Sequence, residues 1–370
     1  MNPWIYIDIA SFIVVVGLTG FIIPQILLIA FRKNLFDEPD PRKIHKSTVP
    51  RLGGIAFFPS ILFAALLVWG IGIRFTPEIL RGGLRSDPEG FCFVGCAVII
   101  LYLVGMADDL VGVKYRAKFV AQFLSAGLLI LGGLRIEYLH GFLWTGTLPM
   151  VLTVLLTAVL TVYITNAINL IDGIDGLASG LSAVACAFYG VIFFRSGLHL
   201  YGMLSFATLG ALVPFFYYNV FGDAKRHSKI FMGDTGALTI GLILSVLSIR
   251  TCQIGDEVGG PNMAVVAFAP LLIPCLDVIR VYLHRLKEHR NPFLPDKCHI
   301  HHKLLSLGMN QRAAMLSIVA AALSLTVANY WLSRCIDITL LFVLDLAFWI
   351  FGNMILSRAI KKREEKTARS

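Results

Sequence analysis

The sequence predicts an all-α polytopic membrane protein of about eleven transmembrane helices, with the N-terminus outside and the C-terminus cytoplasmic. Three observations carry this. Hydrophobic residues make up 57% of the 370 residues and charged residues only 15%, a balance foreign to an ordinary water-soluble domain. Apolar runs approaching the ~20 residues needed to cross a bilayer recur along the whole chain. Basic residues gather in alternate gaps between those runs.

In chain order the runs lie near 4–31, 52–72, 91–107, 119–134, 149–168, 177–194, 199–218, 236–250, 262–284, 313–332 and 336–356. The first has neither a basic leader nor a small-residue cleavage site and reads as a retained helix. With the N-terminus outside, the inner gaps at 32–51, 108–118, 169–176, 219–235 and 280–312, plus the C-terminal tail, hold all but seven of the 32 Lys and Arg. Those seven are Arg74, Arg81, Arg85, Arg135, Arg195, Arg250 and Arg334. The net charge of +9 is therefore mainly topological, and the basic tail Lys361-Lys362-Arg363 reads as an anionic-lipid contact. A nucleic-acid binder would instead interleave basic and aromatic residues on a soluble fold. No repeat or low-complexity tract divides the chain, so residues 1–370 form one integral membrane domain. Its candidate catalytic cytoplasmic loops are 32–51, 108–118, 166–177, 219–235 and 285–312.

The seven cysteines have no regular spacing and imply no disulfide framework. Cys298 with His299, His301 and His302 offers zinc-ligand types, but near-adjacent ligands close a tetrahedron poorly, and a basic interfacial loop explains them more simply.

The polar residues that carry chemistry sit where runs end. Asp108-Asp109 closes the third run, where two carboxylates are costly to desolvate together and call for a cation, a shared proton or water. A solvated helix end is an equal explanation of that pair alone. Lys114, Arg116 and Lys118 follow with phosphate-binding charge, and Gln122 enters the next span. The most specific segment is Asn166 to Leu177, where Asn166, Asn169, Asp172 and Asp175 recur every third residue and share nearly one helical face. Gly173 and Gly176 allow the helix to break and a ligand to approach the backbone. Hard oxygens of this kind suit magnesium, which completes its shell with water and phosphate. Gly233-Asp234-Thr235-Gly236 places another glycine-flanked acid before an apolar run, as a metal ligand beside a phosphate-binding helix N-terminus or as an ordinary Asp or Thr cap. Asp277 and Arg280, one turn apart, pair by default, while Arg280 and the imidazoles of His299, His301 and His302 could also grip phosphate.

Taken together these motifs resemble the polyprenyl-phosphate N-acetylhexosamine-1-phosphate transferases, the MraY/WecA/TagO family also called glycosyltransferase family 4. The resemblance runs in order from Asp37, Pro39, Arg42, Lys43, His45, Pro50, Arg51, Gly53 and Gly54, through Asp108-Asp109, Asn169-Leu170, Asp172-Gly173, Asp175-Gly176 and Gly233-Asp234, to His299-Ile300-His301-His302. The last motif, preceded by Arg290, Pro292, Phe293 and Asp296, looks like the WecA/TagO branch and lacks the Pro-linked triple histidine of MraY.

The resemblance implies transfer of N-acetylglucosamine 1-phosphate from UDP-GlcNAc to undecaprenyl phosphate, with release of UMP, at the cytoplasmic face of the bacterial inner membrane. The lipid-linked pyrophosphate sugar would initiate an envelope glycan such as O-antigen or teichoic acid. It implies Mg2+, with Mn2+ as a substitute, held by Asn169 and Asp234. Asp108 is then the base, Asp109 supports the metal or acceptor, and Asp172 and Asp175 orient the nucleotide or metal waters. Lys43 and His45 would hold the lipid phosphate; Asp277, Arg280, His299, His301 and His302, with Lys118 and Asn166, complete the substrate contacts. Another UDP-N-acetylhexosamine or UDP-MurNAc-pentapeptide would fit the same chemistry, and glycine pairs and lipid-facing aromatics leave room for a homodimer. An ion-coupled transporter is the rival class, but it predicts acids near mid-span rather than at the ends. A CDP-alcohol phosphotransferase would need a single helical array of aspartates that this chain does not have.

Overall fold

The computed structural model describes residues 4–36, 49–75, 88–144, 146–254, 263–289 and 298–367. The predicted Lys43 and His45, the run Arg290 to Asp296, and the outer Arg81 and Arg85 lie outside these residues. The described chain is helical almost throughout: α1 (Trp4–Lys33), α2 (Phe57–Phe75), α3 (Pro88–Val111), α4 (Tyr115–Leu131), α5 (Met150–Ile171), α6 (Leu177–Arg195), α7 (His199–Phe216), α8 (Gly233–Ile254), α9 (Met263–Phe268), α10 (Leu272–Lys287), α11 (Ile300–Ser306), α12 (Gln311–Leu332) and α13 (Ile338–Thr367). A 3-10 turn at Ala269–Leu271 joins α9 to α10, so that pair forms one broken span from Met263 to Lys287.

Ten of the described helices are long and apolar enough to cross a membrane. The eleventh predicted span corresponds to α4, which has 17 residues. At 1.5 Å per residue it is about 25 Å long, just short of a typical hydrocarbon core. The protein is a multi-pass, all-helical membrane protein.

Helix α8 is the axis of the bundle. It packs against α3, α5, α6 and α9, and nearly every residue from Thr235 to Ile254 is buried. A helix apolar all round is what a central position requires. Small residues let the neighbours come close. Thr153, Thr157, Thr161 and Thr165 form a buried stripe on α5 at four-residue spacing, and the hydroxyls of the last three each donate to the carbonyl one turn back. A Cβ on Gly241 of α8 would sit 2.8 Å from the Thr165 Cα, so glycine is what permits that crossing. The N-terminus of α8 is pinched in the same way: a Cβ on Gly54 would run into the Gly236 backbone, and one on Gly105 would lie 2.6 Å from the Thr235 Cα.

Candidate active site

The polar ends of α3, α4, α5 and α8 meet at one end of the bundle. The connection that enters α2 is tied to the one that enters α8 by backbone pairing. Phe231 N–H donates to Pro50 O, Gly53 N–H to Phe231 O and Gly54 N–H to Met232 O, each at 2.9 Å. Gly233 then turns with φ of 70°, in the left-handed region that glycine tolerates best, and α8 begins.

The α8 N-terminus is capped from another helix. One carboxylate oxygen of Asp109 accepts Asp234 N–H at 2.8 Å, and the other accepts Thr235 N–H at 2.8 Å and the Thr235 hydroxyl at 2.5 Å. The sequence offered Asp234 or Thr235 as their own cap; the structure uses Asp109 instead, which frees the Asp234 side chain. That side chain accepts Asn169 Nδ2–H at 2.6 Å and lies 3.4 Å from the Lys118 ammonium. Lys118 also reaches Asp108 at 2.8 Å, while the other Asp108 oxygen accepts Val113 N–H at 2.6 Å. The Asp108 and Asp234 carboxyls are themselves within hydrogen-bonding reach. Lys118 thus stands between Asp108 and Asp234, with Asn169 fastened to Asp234.

Helix α5 continues to Ile171, so Asn166 and Asn169 share a helix, and the chain leaves it at Asp172. Asn166 faces Gln122 of α4 and exchanges two amide hydrogen bonds with it, at 2.8 and 3.3 Å. Expected as a substrate contact, Asn166 therefore joins α4 to α5. Asp175 pairs with Lys229 at 2.6 Å. Gly176, with φ of 78°, donates its N–H to Asn219 Oδ1 at 2.6 Å, and Asn219 Nδ2 donates to Ile230 O at 2.8 Å. Asn219 was missed by the sequence reading, although an amide inside the apolar stretch Phe215 to Phe221 was a visible signal.

Asp172 accepts no hydrogen bond from any described residue. Its side chain keeps an exposed face in the loop that follows α5. Desolvation by the surrounding protein, then the negative charge of Asp175, pushes the carboxyl up to about 7. Asp234 and Asp109 add to the rise, and the positive charge of Arg51 opposes it.

A second cluster forms where α10 meets α11. Asp277 is fully buried and accepts Arg280 Nη2–H at 2.8 Å, His299 Nδ1–H at 2.8 Å and Ile300 N–H at 3.1 Å. Arg280 also donates to Cys298 O. Asp277 therefore caps α11, and it orients His299 and Arg280 together. The three histidines differ. His299 and His301 are buried and stack with their rings 4° from parallel, whereas His302 is partly open. Both ring nitrogens of His301 lack a hydrogen-bond partner among the described residues. Burial, then the neighbouring His302 and His299, hold this imidazole down at about 3, so it is neutral in ordinary buffers. Its ring lies against Gly173, where a Cβ would overlap it, and this contact joins the histidine cluster to the loop that carries Asp172. Among the described residues no three His, Cys, Asp or Glu side chains converge as a ready metal cage, Cys298 included.

The glycosyl transferase family 4 model matches residues 91–252, from the start of α3 to the end of α8, and so covers the whole carboxylate cluster. The decaprenyl-phosphate N-acetylglucosaminephosphotransferase of Mycolicibacterium smegmatis is 32% identical, over 82% of this chain and 78% of its own. The undecaprenyl-phosphate alpha-N-acetylglucosaminyl 1-phosphate transferase of Escherichia coli K12 is 31% identical, over 92% of this chain and 87% of its own. With relatives at this identity over most of both chains, and with the motifs of both clusters brought together in space, the chain belongs to glycosyl transferase family 4 as an integral membrane transferase.

Proposed function

We propose that the protein transfers N-acetylglucosamine 1-phosphate from UDP-GlcNAc to undecaprenyl phosphate, releasing UMP, at the cytoplasmic face of a bacterial inner membrane. The observation that carries the reading is the convergence of Asp108, Lys118, Asn169 and Asp234 at the membrane end of the bundle, in a chain similar to polyprenyl-phosphate transferases over most of its length. The excess of Lys and Arg in the loops at that end supports a cytoplasmic site, with the N-terminus outside and the C-terminus inside.

In this reaction an oxygen of the lipid phosphate attacks the β-phosphorus of the nucleotide sugar, the bond to the bridging oxygen breaks, and UMP leaves with that oxygen. One phosphoanhydride replaces another, so the step is nearly isoenergetic and reversible and needs no ATP. The protein has to hold two anions together and neutralise the charge between them. Lys118 supplies one positive charge. Its salt bridges to Asp108 and Asp234 are ones that a phosphate would compete for, and their release leaves Asp108 free to take a proton from the lipid phosphate. Asp109 holds Asp234 in place through the α8 N-terminus. Asp172, in the loop after α5, has a carboxyl pushed up to about 7 and can orient the donor. Arg280 and His302 are the partly open groups of the second cluster and meet the diphosphate and sugar, while His299 and His301 position them.

The donor set fits Mg2+. Asp234 and Asn169 would hold it, few protein ligands are needed, and an ammonium already stands among these oxygens. When bound, Mg2+ supplies charge neutralisation for the phosphates, and Mn2+ is expected to substitute. The test is UMP release by the purified full chain with UDP-GlcNAc, undecaprenyl phosphate and Mg2+. Release that depends on both lipid and divalent cation supports the reading. Release with UDP-GalNAc but not UDP-GlcNAc would change the donor and keep the site, and no release with any UDP-sugar would overturn it.

A further inference from the structure

A groove of about 730 Å³ opens between α10 and α13, beside the second cluster, with which it shares Arg280. Its wall is apolar along Leu276, Ile279 and Leu283 of α10 and Leu346, Ile350 and Met354 of α13. Its polar end carries Arg280, His284, Lys303 and Arg358. Arg280 is held by Asp277, and His284 lies 3.3 Å from Glu288. The other two have no carboxylate partner among the described residues. Lys303 donates instead to the neutral Asn353 at 3.2 Å and Ser357 at 3.0 Å, and Arg358 is exposed. Burial and the nearby Arg280 guanidinium push the Lys303 ammonium down, against the opposing charge of Asp277.

Deeper in the same groove stands Trp349, 8% exposed. Trp349 also borders a smaller apolar cavity of about 190 Å³. By helical rise it lies about 13 Å below Arg358. From its polar end inward the groove therefore presents two cations without a carboxylate partner among the described residues, then an apolar wall closed by Trp349. That order matches the phosphate and the acyl chain of a phospholipid.

We infer that this groove binds one anionic phospholipid, with its phosphate on Lys303 and Arg358 and an acyl chain along α10 and α13. Apart from Arg280, which Asp277 holds, the lining includes none of the residues given to the reaction, and this argues for a resident lipid rather than the acceptor. Lys303 and His301 are two residues apart on α11 and so point about 200° from each other. His301 faces Gly173, and Lys303 faces the groove. A lipid there ties α13 to the short helix that carries the histidines, at the point where Arg363 also reaches Ser306 O.

This inference does not rest on the reaction proposed above, and its test reads binding. The full chain is placed in phosphatidylcholine nanodiscs containing a minor fraction of phosphatidylglycerol, and lipid retained after delipidation is counted by native mass spectrometry. Phosphatidylglycerol is expected to be retained over phosphatidylcholine and to raise the unfolding temperature. Arg358→Glu, on an exposed helix face, should weaken that retention about tenfold without changing stability in phosphatidylcholine alone. Ile350→Trp, which fills the wall, should lower retention of the same lipid. Equal retention of the two lipids, or undiminished retention in Arg358→Glu, would overturn the assignment. So would displacement of phosphatidylglycerol by stoichiometric undecaprenyl phosphate, which would give the groove to the acceptor.

Discussion

The two polar clusters are built by one device and present opposite chemistry. In each, an aspartate from the preceding part of the bundle caps the N-terminus of a helix that follows: Asp109 caps α8 through Asp234 and Thr235, and Asp277 caps α11 through Ile300. The α8 cap holds out a second carboxylate, Asp234, against Asp108 and Asn169. The α11 cap holds out an imidazole and a guanidinium. A helix N-terminus offers free N–H groups and a favourable field for negative charge, so a buried carboxylate there is well placed as a fastener. Two of the aspartates most conspicuous in the sequence, Asp109 and Asp277, are engaged as caps, which leaves Asp234, Asp108 and Arg280 as the groups that the proposed reaction gives to substrate.

That division can be broken by substitution. The largest effect is expected for Asp234→Ala, which should lower lipid-dependent UMP release by about 10³-fold while the unfolding temperature stays within a few degrees of wild type. An Asp234→Ala variant that fails by unfolding would move Asp234 to the fastening side. Asp277→Ala should do the reverse. Losing a buried carboxylate that holds an arginine, a histidine and a backbone N–H costs about 3 kcal/mol, to be read as a fall in unfolding temperature together with a raised KM for the nucleotide sugar. Asp109→Ala is expected to cost about 2 kcal/mol as a lost helix cap, with the activity of the folded protein also lowered because Asp234 is no longer held.

The sequence went furthest where chemistry and topology coincide. The spans could be located because each must be apolar for about 20 residues, and the acidic motifs stood out because they interrupt them. What could not be read was which oxygen faces which partner. Asn166 and Asn169 are three residues apart and look alike in sequence, yet α4 lies beside one and α8 beside the other, so Asn166 is taken by Gln122 and Asn169 by Asp234. The same holds for the three histidines, whose difference comes from Asp277 lying under His299 and Gly173 lying against His301. Asn219 and Lys229 tie the loops together through contacts 43 and 54 residues away in the chain, which no local pattern encodes.

A smaller effect sharpens the contrast through pH. The Asp172 carboxyl rises from an ordinary carboxylate value to about 7 in the folded protein. Its contribution is therefore stabilising below about pH 4 and is lost as pH rises through about 7. Asp172→Asn should raise the unfolding temperature relative to wild type at pH 8, and the difference should vanish by pH 4. It should also remove a rate-limiting ionisation near 7 from the pH–rate profile. A constant difference across that range would mean that Asp172 does not titrate there.

The central claim is that the carboxylate cluster performs the transfer and the histidine cluster holds the donor. The most direct measurement is single-turnover kinetics of Asp108→Asn beside His302→Ala, with UDP-GlcNAc binding measured separately. The account predicts that Asp108→Asn binds UDP-GlcNAc as wild type does and fails to turn it over, while His302→Ala binds about tenfold more weakly and turns over at nearly the normal rate once saturated. Lost binding in Asp108→Asn, or lost turnover at saturation in His302→Ala, would contradict it.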